Sequence, residues 1–255
     1  MGFKQLERGV SFNSGVSCNL KDLYDNLVTT ENLNKERRKP SQAFAPSSFR
    51  CDRLSFFKLR GVDPDPVDSV NNGLAFSAMV GTACHENTQR ILKESLKDGW
   101  VDVSTFLKSH DTRYRCQISK CGEYETRIKI EEPPVNFACD GILKIDNDFY
   151  LLEIKTSEYQ SFTKLKGPKE QHLDQIKCYC ALLNLDKALV LYIDRMYGDT
   201  KCFEVLVKEY EKDSICNRME KVLDYVKLNL APPKLKSDDG WCQYCKYKQR
   251  CKSWG

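Results

Sequence analysis

Apolar residues follow a helical spacing in several stretches of the chain and a strand-like pattern in others. The first helical stretch runs from Asn19 to about Lys39, where Pro40 ends the pattern. Further helices are predicted near Ser48–Leu59, Ser69–Lys97, Lys169–Leu185 and Asp213–Leu230. Strands are predicted near Tyr124–Glu131, Lys187–Asp194 and Cys202–Lys208. This order predicts an α/β protein with a central sheet flanked by helices.

The segment at residues 137–156, FACDGILKIDNDFYLLEIKT, predicts a tight β-hairpin around the turn-forming run Asp146–Asp148. If the last two residues of that run form the loop, Asp140 lies opposite Lys155. Alternation of side chains then places Glu153 on the same face as both. A slip of one residue would separate this set, so the prediction depends on the register.

Two carboxylates and an ammonium on one patch of sheet suit a hard divalent cation. Oxygen ligands bind Mg²⁺ or Mn²⁺, which activate water, and a lysine can position that water or stabilise developing charge. The alternative is an exposed strand with ordinary charged side chains. The hairpin pattern by itself leaves both interpretations open.

The composition is that of a water-soluble globular protein. The chain has 255 residues, 41% of them hydrophobic, which fits one large domain or a domain with small appendages. No apolar run reaches the length of a membrane helix and the first residues do not form a signal peptide, so the cytoplasm is the expected location. The net charge of +4 is too small to indicate nucleic acid by itself.

Two helical features are each compatible with a functional or an ordinary role. His85, in the long third helix, is either a metal ligand or a hydrogen-bonded helix histidine. Gln171, Gln175 and Tyr179 recur every four residues and therefore share one helix face. Their amides and phenol could contact a phosphate or a base, or form ordinary helix surface.

Three cysteines near the end of the sequence are spaced C-x2-C-x5-C, at Cys242, Cys245 and Cys251. Three thiolates within ten residues in a reducing compartment indicate a metal site rather than disulfides. A closed site needs a fourth ligand and could hold Zn²⁺ or an iron–sulfur cluster. The chain has 13 cysteines, and spacing alone does not identify the fourth.

Five elements now occur in a characteristic order: SSFRCDRLSFF in a short helix, GTACHE, CDGIL, LLEIKT and Q-x3-Y, followed by the three cysteines. Together they resemble the PD-(D/E)xK nuclease superfamily, and within it the RecB-like exonucleases with an iron–sulfur cluster. That group includes CRISPR-associated RecB-like exonucleases, the nuclease domain of AddB and phage relatives. The resemblance extends from about Ser47 to Cys251; the residues CD stand where other members have a proline before the aspartate.

The resemblance implies a role for each matched residue. The implied metal ligands are His85, Asp140, Glu153 and the backbone carbonyl of Ile154. The implied catalytic lysine is Lys155, and the implied DNA contacts near the active site are Gln175 and Tyr179. The implied ligands of a [4Fe–4S] cluster are Cys51, Cys242, Cys245 and Cys251, with Zn²⁺ in the same thiolates as the lesser alternative.

The resemblance also implies a restriction-endonuclease-like fold with a mixed central sheet. We expect residues 1–45 to form an N-terminal helical extension and residues 46–255 the nuclease domain, closed by the cluster as a staple between its two ends. The implied activity is a Mg²⁺- or Mn²⁺-dependent deoxyribonuclease, an exonuclease rather than an endonuclease, acting on single-stranded or frayed DNA ends. Recombination, replication or CRISPR-adaptation proteins are the implied partners. The alternative is a non-catalytic DNA-end-binding or assembly protein with the same fold.

Overall fold

A computed structural model describes residues 10–11, 17–18, 20–36, 39–66, 72–120, 125–236 and 239–254. The chain divides into two compact units, residues 1–38 with 66–79, and residues 39–65 with 80–255.

The first unit contains a short antiparallel strand pair and a helix. The pair is β1 (Val10–Ser11) and β2 (Ser17–Cys18), and the helix is α1 (Leu20–Glu36). The helix predicted from Asn19 is thereby confirmed.

The second unit contains most of the regular structure. Its first helices and strands are α2 (Asp52–Leu59), α3 (Asn72–Leu96, of which the residues from Val80 belong here), β3 (Trp100–Val101), α4 (Val103–Ser109), β4 (Gln117–Lys120), β5 (Arg127–Ile130) and β6 (Val135–Ala138). The remainder are β7 (Gly141–Ile145), β8 (Asp148–Ser157), α5 (Tyr159–Thr163), α6 (Glu170–Leu183), β9 (Lys187–Asp194), β10 (Thr200–Leu206), α7 (Glu209–Lys227) and α8 (Lys248–Ser253).

Five strands form the central sheet, in the order β10-β9-β8-β7-β3. All neighbours are antiparallel except β8 and β9, which run parallel and are therefore joined by a crossover through α5 and α6. Strand β8 is buried on both faces: Leu151 packs into the main core, and Leu152 and Ile154 form a second apolar cluster with Leu143. This is the predicted α/β architecture, a mixed central sheet flanked by helices.

A second, three-stranded antiparallel sheet has the order β4-β5-β6. Strand β6 leads through residues 139–140 directly into β7, so the small sheet adjoins the central one. The sequence predicted β5 but neither β4 nor a separate β6. All four residues of β4 are exposed, so the strand has no alternation of apolar and polar positions for the sequence to display.

The predicted register of the hairpin is wrong by two residues. Ile145 pairs with Asp148, so the loop consists of Asp146 and Asn147 and not of the last two residues of the turn-forming run. Asp146 takes the left-handed conformation with φ 55°, which aspartate tolerates. Asp140 therefore lies one step beyond the Gly141–Leu152 pair, opposite Glu153 rather than Lys155. A shift of two keeps every side chain on its predicted face.

Residues 39–45, which the sequence analysis placed in the N-terminal extension, fall in the second unit. Phe44 is fully buried and forms a bridge with Val135. Its backbone N–H donates to the carbonyl of Pro134, at 2.8 Å, and its carbonyl accepts from the N–H of Asn136, at 3.0 Å. These bonds fix the start of β6.

Within the described helices, none combines the length and the apolar character that crossing a lipid bilayer requires.

Candidate active site and cysteine cavity

Asp140 and Glu153 come together because they occupy facing positions at the start of β7 and on β8. The N–H of Ile154 donates to Oδ2 of Asp140 at 2.6 Å, which fixes the orientation of that carboxylate. Lys155 lies two residues beyond Glu153 on the same face, and its Nζ donates to Oε1 of Glu153. Nδ1 of His85 lies 3.3 Å from Oδ1 of Asp140. We call these four side chains, His85, Asp140, Glu153 and Lys155, the carboxylate site.

Glu153 is a buried acid, with 2% of its surface exposed. Burial raises its pKa from 4.5 to about 7, and the charge of Asp140 adds to the increase, while Lys155 and His85 oppose it. The strand is thus not an exposed one with ordinary charged side chains. A buried carboxylate beside a second carboxylate is an arrangement that a bound cation stabilises.

One face of α3 meets this site through residues spaced four apart. His85 contacts Asp140, and Gln89, 3% exposed, donates from Nε2 to the backbone carbonyl of Asp140 at 2.6 Å. A Cβ at Gly81 would lie 3.4 Å from Oγ1 of Thr156, so the helix approaches β8 closely there. Ile91, on another side of the same helix, is 46% exposed.

A chain of hydrogen bonds extends from the carboxylate site into α6. Lys155 Nζ donates to Oε1 of Gln175 at 3.2 Å, and Nε2 of Gln175 donates to the hydroxyl of Tyr179 at 3.1 Å. The Tyr179 hydroxyl donates to the carbonyl of Ala138 at 2.8 Å. Tyr179 is 5% exposed, and Gln171, on the same predicted face, is exposed. The chain orients Lys155 and ties α6 to the end of β6.

Tyr192 is a further residue of the site that the sequence did not indicate. It pairs with Lys155 across β8 and β9. Its hydroxyl accepts from the N–H of Lys169 at 3.0 Å and lies 2.6 Å from Nδ1 of His172, so it anchors the start of α6. Burial, with the charges of Lys155 and Lys169, lowers the pKa of His172 to about 3, so this imidazole is neutral.

His172 and Gln89 also belong to the site and were not predicted from the sequence. They lie on α6 and α3, outside the hairpin. The sequence contained no signal specific to Gln89, since its four-residue interval from His85 is common in helices. Ile154 has its side chain buried on the face away from the carboxylates, in the second apolar cluster.

The structure brings the four predicted cluster cysteines to one cavity of about 540 Å³. Its cysteine lining consists of Cys51, Cys242, Cys245 and Cys251. Cys51 precedes α2, and the other three lie in residues 242–251, so the cavity joins positions about 190 residues apart. We call it the cysteine cavity.

Burial raises the pKa of the Cys51 thiol to about 11, and the nearby Cys245 and Cys251 add to the increase, while backbone hydrogen bonds oppose it. Burial also raises the pKa of Cys242 and of Cys245. Cysteine thiols lose their protons when they bind iron or zinc, which removes the cost of ionising them in a buried place. The donor set therefore fits a metal centre.

Buried contacts hold the walls of the cysteine cavity together. Arg53, on α2, donates to the carbonyl of Pro232 at 2.9 Å and also to the carbonyl of Trp254. Phe57 stacks on Tyr247 with ring centroids 5.4 Å apart and meets Trp254 edge-on at the same distance. The segment after residue 239 is thus packed into the core around α2.

Among the residues that the structure describes, no three His, Cys, Asp or Glu side chains are already arranged to hold one metal ion. At the carboxylate site the candidate ligand atoms instead bond to one another and to protein donors: Asp140 with His85 and Ile154, and Glu153 with Lys155. Cation binding would exchange these bonds for coordination.

No family model matches the chain, and no curated protein matches it. Among solved structures, that of SSO0001 superposes with a TM-score of 0.51 at 14% identity, over 93% of this chain and 100% of that chain. LHK-Exo, an alkaline exonuclease from Laribacter hongkongensis, superposes with a TM-score of 0.48 at 12% identity, over 78% of this chain and 93% of its own. Its complex with dAMP gives 0.46 at 12% identity, over 79% and 94%.

The likeness to SSO0001 concerns the fold. In this chain that fold is a mixed central sheet flanked by helices, and adjoining strands of the sheet present Asp140, Glu153 and Lys155 on one face.

Proposed function

We propose that the chain is a metal-dependent deoxyribonuclease that hydrolyses phosphodiester bonds at the carboxylate site. One observation supports this above all: the buried Glu153 faces the half-buried Asp140, with Lys155 hydrogen-bonded to Glu153. An acid pair of this kind costs free energy in the folded protein unless a cation binds, since burial and mutual repulsion already hold the pKa of Glu153 near 7. Selection for stability alone would not retain it.

In the proposed reaction the cation ligands are Asp140, Glu153, His85 and the backbone carbonyl of Ile154. When bound there, Mg²⁺ or Mn²⁺ supplies Lewis-acid activation of water and neutralises charge on the phosphoryl group. Gln89 holds the backbone of Asp140, and the N–H of Ile154 holds its carboxylate, so both orient a ligand.

Lys155 has the role of stabilising the negative charge that develops at phosphorus. Its ammonium is held on one side by Glu153 and on the other by Gln175, at 3.2 Å. The anchor of α6 on Tyr192 keeps Gln175 at that position. A preoriented ammonium in a largely water-excluded site acts more strongly on the transition state than on the bound substrate.

We also propose that the cysteine cavity holds a [4Fe–4S] cluster with a structural role. Its lining contains Cys51, Cys242, Cys245 and Cys251, and four cysteine thiolates are the ligand set of such a cluster. The four thiols come from two segments 191 positions apart (242 − 51). Closing a loop of that length is worth about 5 kcal/mol by the cross-link entropy relation, comparable with the stability of a whole domain.

The finer features of the function rest on the resemblance of the motifs. These are exonuclease action, a preference for single-stranded or frayed ends, and a place beside recombination, replication or CRISPR-adaptation proteins. The domain division proposed with them is an N-terminal helical extension followed by the nuclease domain.

The deciding experiment is a cleavage assay on end-labelled linear DNA and on covalently closed circles, in Mg²⁺, in Mn²⁺ and in a chelator. We expect metal-dependent loss of label from linear DNA, and a decrease of at least about 100-fold in Asp140→Asn with folding unchanged. Glu158→Gln, a nearby exposed acid, serves as the matched control. Full activity of Asp140→Asn would refute the assignment, cleavage of circles would indicate an endonuclease, and binding without cleavage would indicate an end-binding protein.

A further inference from the structure

The three-stranded sheet has two unlike faces. Ile128 and Ile130 on β5, with Val135 and Phe137 on β6, are buried in the main core. The opposite face is polar and basic. Its members are Gln117 and Lys120 on β4, Arg127 and Lys129 on β5, and Asn136 on β6, next to Ala138.

The pairing of the strands places the three cations side by side. Lys120 pairs with Arg127, and Arg127 pairs with Ala138, so these side chains share one face. Lys129 lies two residues further along β5, about 7 Å away at 3.3 Å per residue. We call Lys120, Arg127 and Lys129 the basic sheet face.

The strands β4, β5 and β6 contain no carboxylate, and the exposed Glu125 and Glu131 flank Arg127 and Lys129 on the same face. In the described part of the chain, neither Lys120 nor Arg127 takes part in an ion pair, and Lys129 pairs with the exposed Glu131 at 3.5 Å. Both cations of β5 are exposed. An exposed cation without a carboxylate partner keeps its full attraction for an external anion.

The basic sheet face is continuous with the carboxylate site. Strand β6 ends at Ala138, the chain bends at Asp140, and β7 begins at Gly141, so the small sheet leads directly to the carboxylate site. Arg127 is directly opposite Ala138, which is two residues, or about 7 Å, from Asp140. The carbonyl of Ala138 also accepts from Tyr179, which connects it to Gln175 and Lys155.

A row of cations that begins on the strand beside the one leading to Asp140 fits a polyanion whose end lies at the carboxylate site. We infer that the basic sheet face binds the phosphate backbone of the DNA strand that is cleaved at the carboxylate site, an inference that rests on the proposed function. Arg127 contacts the phosphate nearer to the site and Lys129 the one farther away. The amides of Gln117 and Asn136 lie beside them as further donors to phosphate oxygens.

The test measures DNA binding separately from cleavage. The double variant Arg127→Gln/Lys129→Gln removes two charges from the face. The matched control Lys221→Gln/Lys227→Gln removes two exposed charges from α7, one of which also has a carboxylate partner, Asp224. Binding of a fluorescein-labelled single-stranded DNA is followed by anisotropy in Ca²⁺, between about 50 and 200 mM salt.

We expect the Arg127/Lys129 variant to bind about tenfold more weakly at the lower salt concentration. The slope of log affinity against log salt concentration should also decrease in magnitude by about 1.4, which is about 0.7 for each lost phosphate contact. In Mg²⁺ its KM should rise while kcat at saturating DNA is unchanged. The control should match the wild type in both. Arg127→Gln alone, with about half the change in slope, gives the same test with a smaller perturbation of the sheet.

An unchanged affinity and slope in the double variant would overturn the inference while leaving the proposed nuclease intact. Equal losses in the double variant and in the α7 control would overturn it too, because they would indicate non-specific charge attraction. If the wild-type protein bound no DNA at all, the proposed nuclease function itself would be refuted. This result differs from the other two, in both of which the wild type binds DNA.

Discussion

The substitution Glu153→Gln should stabilise the protein at neutral and alkaline pH when no divalent cation is bound. In the folded protein this acid is 2% exposed, and its pKa lies at about 7 instead of 4.5. The folded state therefore holds the proton more tightly than the unfolded chain does. Glutamine has nearly the same shape and stays neutral at every pH.

The sign and the size follow from linkage. Between pH 4.5 and about 7 the folded state binds more protons than the unfolded state, so the free energy of unfolding decreases as pH rises through that window. The penalty is absent below the window and complete above it. The pKa of Glu153 is 4.5 in the unfolded chain and about 7 in the folded protein. At 1.36 kcal/mol per pKa unit, this difference lowers the free energy of unfolding above the window by about 3 kcal/mol. The glutamine variant does not incur this cost.

The assay is urea unfolding of the wild type and of Glu153→Gln in a chelator, at about pH 5 and pH 8. The difference in free energy of unfolding should move in favour of the variant by roughly 2–3 kcal/mol between the two pH values. Glu158→Gln, an exposed acid five residues further along, should show no such change. Parallel pH profiles for the wild type and Glu153→Gln would refute the reasoning that the acid pair is strained without a cation.

Two further predictions concern packing and the cysteine cavity. Gly141→Ala should destabilise the protein by about 1–3 kcal/mol, because the new methyl group would lie 2.7 Å from the Trp100 ring. Thermal unfolding measures the loss of stability. An unchanged midpoint would mean that the Trp100 ring moves aside without cost. Protein purified without oxygen should contain about four irons per chain and absorb broadly in the visible, and Cys51→Ser should lose both and unfold at lower temperature. A colourless protein with one zinc ion per chain would instead indicate a zinc site. The control is Cys202→Ser, at an exposed cysteine outside the cavity, which should retain its iron.

The parts of the site that the sequence predicted are those made by neighbouring residues. The hairpin, its two carboxylates and Lys155 lie within 20 residues, and strict alternation kept them on one face even though the register was wrong by two. Three successive turn formers at 146–148 left the loop position undetermined by pattern alone.

The parts that the sequence could not predict depend on contacts between distant segments. Gln89 and Tyr192 act on the site through tertiary hydrogen bonds, and neither has an unusual sequence environment. Cys51 could not be selected by spacing from among 13 cysteines. The resemblance of its helix singled it out, and in the structure it lines the same cavity as Cys242, Cys245 and Cys251. The exposed strand β4 had no pattern to detect.

The packing of residues 239–254 against α2 has a consequence for synthesis. Phe56 and Phe57, both almost fully buried, depend on Trp254 and Tyr247 to cover them, and those residues are translated about 190 positions later. At roughly 5–20 residues per second, a ribosome needs about 10–40 s to make that interval. During this time the nascent α2 exposes an aromatic surface and an unpaired thiol at Cys51. We therefore expect the growing chain to depend on chaperones that bind hydrophobic segments.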